Sequence, residues 1–270
     1  MGPAAVRGPM GAGRAPARGA PRGELRPCGG GRGCAGGGAA GCGCRLRHFP
    51  GAVPRGAARR RALLAALAAE LPWESRAIRV HGRECQQPRL VCYMADGAHL
   101  GFRYSGLTME ARPWADPVLE VRREAERAAG LPPNYFNSCL LNLYRDGEDG
   151  MGWHSDDEKL YGDRPVIASV SLGAARDFLV RPRGERAGPT WRYTLEDGDL
   201  LIMDGDLQRH FQHSVPKRKR VANRRINFTF RRVVHPDPRL APAHGEKRAL
   251  RPGGGPPRAA KPEEHASPSV

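Results

Sequence analysis

Residues 225–231 read Arg-Ile-Asn-Phe-Thr-Phe-Arg, a strict alternation of polar and apolar side chains. Neighbouring side chains on a strand point to opposite faces. Ile226, Phe228 and Phe230 therefore make one apolar face, and Arg225, Asn227, Thr229 and Arg231 line the other. A helical period does not fit this run. It extends to Val233 and follows eight more strand-like runs: Ala77–Val80, Arg89–Met94, Leu100–Tyr104, Ser138–Arg145, Val166–Leu172, Asp177–Arg181, Thr190–Leu195 and Asp199–Met203. Gly, Asp, Asn and Pro punctuate them, as in a β-sandwich or barrel. Two helices are expected on the N-terminal side. Arg61–Leu71 is an Ala/Leu run stopped by Pro72. Trp114–Ala129 sets Val118, Leu119 and Val121 on an apolar side against Glu120, Arg122, Arg123, Glu124, Glu126 and Arg127 on a charged one. The fold class read from this is α+β on a jelly-roll core.

The ends of the chain have a different composition. Of the net charge of +16, residues 1–60 carry +10, from eleven Arg and the single acid Glu24. They also hold seventeen of the 35 Gly. So few large apolar groups cannot offset the entropy of ordering, and a solvated basic arm is expected over 1–60. Organelle-targeting segments share its Arg richness, but this one contains no Ser and its Gly and Pro oppose an amphipathic helix. Cys28, Cys34, Cys42 and Cys44 match no paired C-x₂-C zinc spacing. Residues 236–270, Pro/Gly-rich with a net charge of +2, are expected to be a second disordered tail. A domain over 61–235 then carries only +4. No stretch approaches the ~18 apolar residues of a membrane-spanning helix. Seven Cys, three of them single in strand-like runs, fit a reducing compartment better than a disulfide scaffold.

Three constellations carry chemistry. In Trp153-His154-Ser155-Asp156-Asp157-Glu158, extended chain would put His154 and Asp156 on one side, able to grip one ion. A third ligand must come from another strand; His213 in Phe211-Gln212-His213-Ser214-Val215-Pro216 is placed for that, with His210 competing. Two His and one carboxylate on one face of an octahedron leave positions open, as in non-haem Fe(II) oxygenases. The polar face of 225–231 is the second constellation. Two Arg separated by small hydrogen-bonding groups suit a buried dicarboxylate, because guanidinium forks bind carboxylates bidentately, although a solvent-facing strand would show the same pattern. The third is Asn142 and Tyr144 in Leu140-Leu141-Asn142-Leu143-Tyr144, both able to donate to a carboxylate or keto oxygen.

In this order, Asn-x-Tyr, His-x-Asp, a distal His and Arg-x-Asn-x-Thr-Phe-Arg, the pattern resembles the AlkB family of iron(II)- and 2-oxoglutarate-dependent dioxygenases. The resemblance runs from about Ile78 to Val233 and includes Pro88-Arg89 and Tyr104-Ser105-Gly106-Leu107-Thr108. The stretches 153–158, 167–174, 200–203 and 212–217 look most like the homologue 3 branch, with homologue 2 next. The resemblance implies a double-stranded β-helix core and the use of Fe(II), 2-oxoglutarate and O₂. By motif, it implies His154, Asp156 and His213 as iron ligands. It assigns Asn142, Tyr144, Arg225, Thr229 and Arg231 to 2-oxoglutarate, with Asn227 on the same face. Asp157 is implied on the substrate side, with Arg89, Phe102, Arg103 and Tyr104 in the matching stretches. The implied reaction hydroxylates an N-methyl group of a nucleobase such as 1-methyladenine or 3-methylcytosine. Formaldehyde, succinate and CO₂ are released and alkylation damage is repaired.

The expected partner is single-stranded DNA or RNA, bound by a monomer. A base must be unpaired or flipped out to be oxidised. His154 and Tyr104 could sandwich it, and Lys217, Arg218 and Lys219, with Arg220, form a run without acids for phosphates or for nuclear entry. The segment around His81 reads His-Gly-Arg-Glu, lacking the apolar side chain that a duplex-opening wedge uses. Nucleus and cytoplasm are the expected compartments, with organellar targeting by the Arg-rich arm as the alternative. Two competing readings are a 2-oxoglutarate-dependent protein hydroxylase, which would lack the basic face, and a non-enzymatic nucleic-acid-binding protein, which would not need the triad.

Overall fold

The alternation at 225–231 is realised as a strand whose seven residues are all buried. The computed structural model describes residues 24–25, 43–80, 83–104, 107–184 and 188–236. Among them run β1 (Glu24–Leu25), β2 (Arg45–Phe49), β3 (Ala77–Val80), β4 (Arg83–Gln86), β5 (Leu90–Ala95), β6 (Phe102–Tyr104), β7 (Leu107–Met109), β8 (Ser138–Tyr144), β9 (Met151–His154), β10 (Ile167–Gly173), β11 (Arg176–Pro182), β12 (Trp191–Leu195), β13 (Leu200–Asp204), β14 (Phe211–Val215) and β15 (Arg225–Arg231). The helices are α1 (Ala57–Glu70), α2 (Asp116–Ala129) and the single turn α3 (Leu207–His210). A large antiparallel sheet has the order β1-β2-β13-β10-β15-β8-β5, and a smaller one β12-β11-β14-β9. β3–β4 and β6–β7 are separate hairpins. No helix among the described residues is long and apolar enough to cross a membrane.

The large sheet separates two cores. Ile226, Phe228 and Phe230 of β15 join Cys139, Leu141 and Leu143 of β8 and Ala168, Val170 and Leu172 of β10 on the face covered by α1 and α2. The opposite face meets the smaller sheet, where Ile167, Leu201 and Met203 pack on Phe178, Val180, Tyr193 and Phe211. This is the jelly-roll arrangement expected from the strand pattern, and the polar side of β15 looks into its interior.

The expected arm over 1–60 is corrected at its end. β2 pairs with β13, Leu46 and Val53 are fully buried, and α1 starts at Ala57 rather than Arg61. The arginines that made this stretch resemble a solvated tail are neutralised in space: Arg45 and Arg47 reach Asp204 at 2.5 and 3.2 Å. Residues 1–23, 26–42 and 237–270 lie outside the described residues, and with them most of the expected arm, the C-terminal tail, Cys28, Cys34 and Cys42.

α2 opens with Asp116-Pro117, suited to the first turn, and closes at Gly130 with φ of 71°. Two residues expected on its charged side are buried instead. Arg122 donates to Phe136 O and Asn134 Oδ1, and Glu126 accepts from the backbone N–H of Asn134 and Phe136. Together they fix the loop entering β8. At the other end of the central strand pair, Gly173 has φ of 90°, and a Cβ there would lie 2.4 Å from Arg224 O. Only glycine lets β10 turn away this close to the start of β15.

Candidate active site

The polar row inside the jelly roll follows from strand register. Arg225 stands opposite Tyr144, and Asn227 opposite Asn142; Thr229 pairs with Ser169 and Asn227 with Ser171 on the other side. Directly paired residues share a face, so β8, β15 and β10 present one continuous polar patch to the interior. Asn142, Tyr144, Arg225, Asn227, Thr229 and Arg231 all line one cavity there, together with His154, Asp156 and His213.

His154, Asp156 and His213 bring one ligand atom each to within 4.8 Å of the others. His213 on β14 is the direct partner of His154 on β9, and two residues further along β14, Val215 pairs with Met151. Three residue steps on β9 thus match two on β14. This is a β-bulge, which re-aims side chains beside a site. It lets both Met151 and His154 face the interior while Trp153 stacks under Arg181 outside, 4.0 Å from the guanidinium to the ring centre. His154 Nδ1 lies 2.9 Å from Gly152 O. A carbonyl only accepts, so Nδ1 carries the proton and Nε2 keeps its lone pair.

Asp156 follows the end of β9 on a turn held from two sides. Ser155 Oγ donates to Phe211 O, and Asp156 N–H donates to Gln208 Oε1 of α3. Gln208 is a positioning residue with no sequence signal. His210, the competing histidine, is outside the cluster.

Electrostatics favour a cation at this point. Burial and the neighbouring His154 push the His213 imidazole down to about 3, so it is neutral, as a metal ligand must be. Burial likewise lowers His154. Burial alone would raise the Asp156 carboxyl, but the Arg231 guanidinium, by its charge and its hydrogen bond, outweighs this and holds it far below the usual carboxylate range. Asp156 Oδ1 takes Arg231 Nη2 at 2.7 Å, while Oδ2 is buried with no hydrogen-bond partner. One unpartnered carboxylate oxygen between two neutral imidazoles fits Fe(II) bound by two His and one carboxylate.

The dicarboxylate side fits as well. Arg225 is 1% exposed; its Nη2 donates to Ser171 Oγ, but Nε and Nη1 are buried without partners, as is Arg231 Nε. Its guanidinium lies 5.2 Å from the Tyr144 ring centre. Such enclosed donors are costly unless an acceptor fills the space. Asn142 Oδ1 accepts from Arg89 Nε at 2.7 Å, which leaves the amide N–H₂ for the cavity. Asn227 is more committed than expected: Nδ2 donates to Ser169 Oγ and Val170 O, and Oδ1 accepts from Thr229 Oγ1. It therefore orients Thr229 and Ser169 rather than offering free groups of its own.

A second compartment adjoins the first and shares Leu140, Met151, His154, Asp156 and Arg231 with it. Gln87, Arg89, Val91, Met109, Glu158 and Tyr161 complete its wall. Of these only Arg89 is expected from the sequence. Burial, then the Asp156 charge, raise the Glu158 carboxyl to about 7. Asp157 is a correction. His154, Asp156 and Glu158 line the compartment together, as alternation places them, and Asp157 between them turns to Arg183, 2.5 Å away. It lines neither compartment.

The remaining substrate-side expectations are only partly reached. Phe102–Tyr104 forms β6, but the side chains of Phe102, Arg103 and Tyr104 lie outside what is described, and so does His81. β3 and β4 do pair as a hairpin on either side of it. The basic run is not free of acids in space: Lys217 approaches Glu148 at 3.8 Å, and Arg218 holds Asp177 at 2.6 Å. Lys219 and Arg220 are exposed and have no ion pair among the described residues.

Comparison with known proteins agrees with this geometry. Residues 45–231 match the 2OG-Fe(II) oxygenase superfamily. The chain is 39% identical over 187 residues to DNA oxidative demethylase ALKBH2 of Arabidopsis thaliana, covering 61% of this chain and 59% of that protein. It is 40% identical over 188 residues to the human alpha-ketoglutarate-dependent dioxygenase alkB homolog 3, covering 67% and 63%. Identity thus separates the two branches by a single percentage point. The chain spans about three fifths of the length of these relatives. Among solved structures, OsALKBH1 superposes with a TM-score of 0.50 at 17% identity, over 69% of this chain and 96% of that one. This likeness speaks for the fold alone.

Proposed function

The chain belongs to the 2OG-Fe(II) oxygenase superfamily and, within it, to the AlkB family, and from that premise we propose that it removes methyl groups oxidatively from nucleobases such as 1-methyladenine and 3-methylcytosine, preferring single strands of DNA or RNA. One observation carries the reading: two compartments meet at His154, Asp156 and Arg231. The inner one is lined with unpartnered guanidinium N–H groups, the outer one with apolar walls and a few polar groups.

Iron(II), 2-oxoglutarate and O₂, when bound, supply the oxidation of an unactivated methyl C–H bond. His154, Asp156 and His213 would hold the iron. Arg225 and Arg231, helped by Tyr144, Thr229 and the Asn142 amide, would hold the dicarboxylate. Met109, Leu140, Val91 and Met151 exclude water from the outer compartment. There a flat ring can lie with its methyl toward the triad, since His154 lines both spaces. The hydroxymethyl amine so formed collapses to formaldehyde and the restored base.

The preference for single strands rests on the His81-Gly82-Arg83-Glu84 sequence, which links β3 to β4 and opens β4. With no large apolar group to fill the gap left by a flipped base, unstacking costs a few kcal/mol with little to offset it. The test is succinate and formaldehyde release from single-stranded and duplex oligonucleotides carrying one 3-methylcytosine, as DNA and as RNA. Faster turnover of single strands is expected. Succinate without formaldehyde on every methylated strand would instead favour hydroxylation of a protein side chain.

A further inference from the structure

Gln87 has no part in the chemistry described so far, yet it is 6% exposed and its Oε1 is buried with no hydrogen-bond partner. It lies between β4 and β5 and lines the outer compartment with Met109, His154, Glu158 and Tyr161. Its backbone is fixed. Its N–H donates to Arg76 O and its carbonyl accepts from Arg89 N–H, both at 2.8 Å, and Pro88 O accepts from Gly150 N–H at 2.9 Å. With φ of the next residue also locked by the proline ring, the amide is presented from a rigid segment.

An enclosed amide oxygen without a partner is unfavourable, and native structures keep such a group where a ligand, ion or water satisfies it. Glu158 Oε2 is a second buried oxygen without a partner, on a residue of the same compartment wall. Two unpartnered oxygens on residues that line one cavity suit a guest whose edge donates. The guest proposed above has such an edge. Methylated adenine and cytosine each carry an exocyclic amino group, and methylation at the pairing nitrogen makes the ring cationic, which strengthens that N–H as a donor. A methylated thymine has a carbonyl at the corresponding place and would set oxygen against oxygen.

We infer that Gln87 is a specificity-determining residue of the outer compartment, its side-chain oxygen accepting a hydrogen bond from the exocyclic amine of the methylated base. The inference rests on the demethylase reading. It is tested with Gln87→Met, which keeps length and volume but removes the amide, and Gln87→Glu, which keeps only acceptors. Both are assayed against single-stranded oligonucleotides bearing 3-methylcytosine or 3-methylthymine. Gln87→Met should lose about three- to ten-fold in kcat/KM on 3-methylcytosine, mainly through KM, and less on 3-methylthymine, so that the preference narrows. Gln87→Glu should keep or widen it. The KM for 2-oxoglutarate should stay within two-fold in both. Equal losses on the two bases, or a shifted 2-oxoglutarate KM, would mean that Gln87 only supports Arg89 and the inner compartment, and the inference falls. Wild-type protein releasing no formaldehyde from either base would overturn the demethylase reading and this inference together. An active wild type with an unchanged preference in Gln87→Met overturns the inference alone.

Discussion

Arg231 Nη2 lies 2.7 Å from Asp156 Oδ1, and both side chains are about 5% exposed. The last residue of the central strand is thereby tied to Asp156, a proposed iron ligand in the segment after β9. Truncating one partner of a buried charge pair costs on the order of 2–5 kcal/mol. Arg231→Ala should therefore raise the KM for 2-oxoglutarate by several-fold to about a hundred-fold and also weaken iron retention. Arg225→Ala, whose guanidinium touches no metal ligand, should raise the KM without affecting iron content. Iron per chain after desalting separates the two, and equal iron loss in both variants would break the distinction.

The distal histidine can be tested against its neighbour. His213→Ala should abolish iron-dependent turnover, because two remaining ligands hold the metal weakly. His210→Ala should leave turnover within a few-fold of wild type. Near-normal activity in His213→Ala would remove it from the triad.

Nucleic-acid affinity should depend on the unpaired cations of the basic run. Replacing Lys219 and Arg220 with Ala should weaken oligonucleotide binding whatever its sequence and flatten the log–log salt dependence by about 0.7 per lost phosphate contact on single strands. Lys217 and Arg218, already facing Glu148 and Asp177, should contribute less. Filter binding across a salt series measures this, and a slope unchanged in the Lys219/Arg220 variant would place those side chains away from the strand.

Asp199 gives the fold a dependence on acid. Burial would raise its carboxyl, but hydrogen bonds from His48 Nε2 and from the backbone N–H of Glu196 and Gly51 more than reverse this and lower it. With the folded value below the unfolded one of about 3.9, the stabilisation is present above that pH and lost as pH falls through the folded value. Asp199→Asn should cost roughly 2 kcal/mol at pH 7, a Tm lower by roughly 4–8 °C. The gap to wild type should close below pH 4, and a gap just as wide at pH 3.5 would contradict this role.

The central strands were legible because their information is local: residues two apart share a face, so Asn142 with Tyr144, and Arg225 with Thr229, could be grouped before any contact was known. β2 was not. Arg45-Leu46-Arg47-His48-Phe49 continues an Arg/Gly-rich stretch, and its partner β13 is some 155 residues away. The outer compartment was hidden for a different reason. The family motif pointed to Asp157, although alternation from His154 and Asp156 favours Glu158, and Gln87 and Tyr161 arrive from segments with no periodic pattern. In α2, Arg122 and Glu126 read as solvent-facing because their partners, the backbone groups of 134–136, belong to a loop.

The position of β15 in the large sheet has a consequence for how the molecule is made. It is the last strand among the described residues, yet it lies in the middle, between β10 and β8. A nascent chain that has already exposed His154, Asp156 and His213 still has two open strand edges facing an empty slot, each able to pair with the wrong chain. Closing that slot is a late, long-range event of the kind that slows folding. Arg225 and Arg231 enter with the same strand, so synthesis completes the sheet and the inner polar compartment in one step. A chain released before residue 225 would have neither.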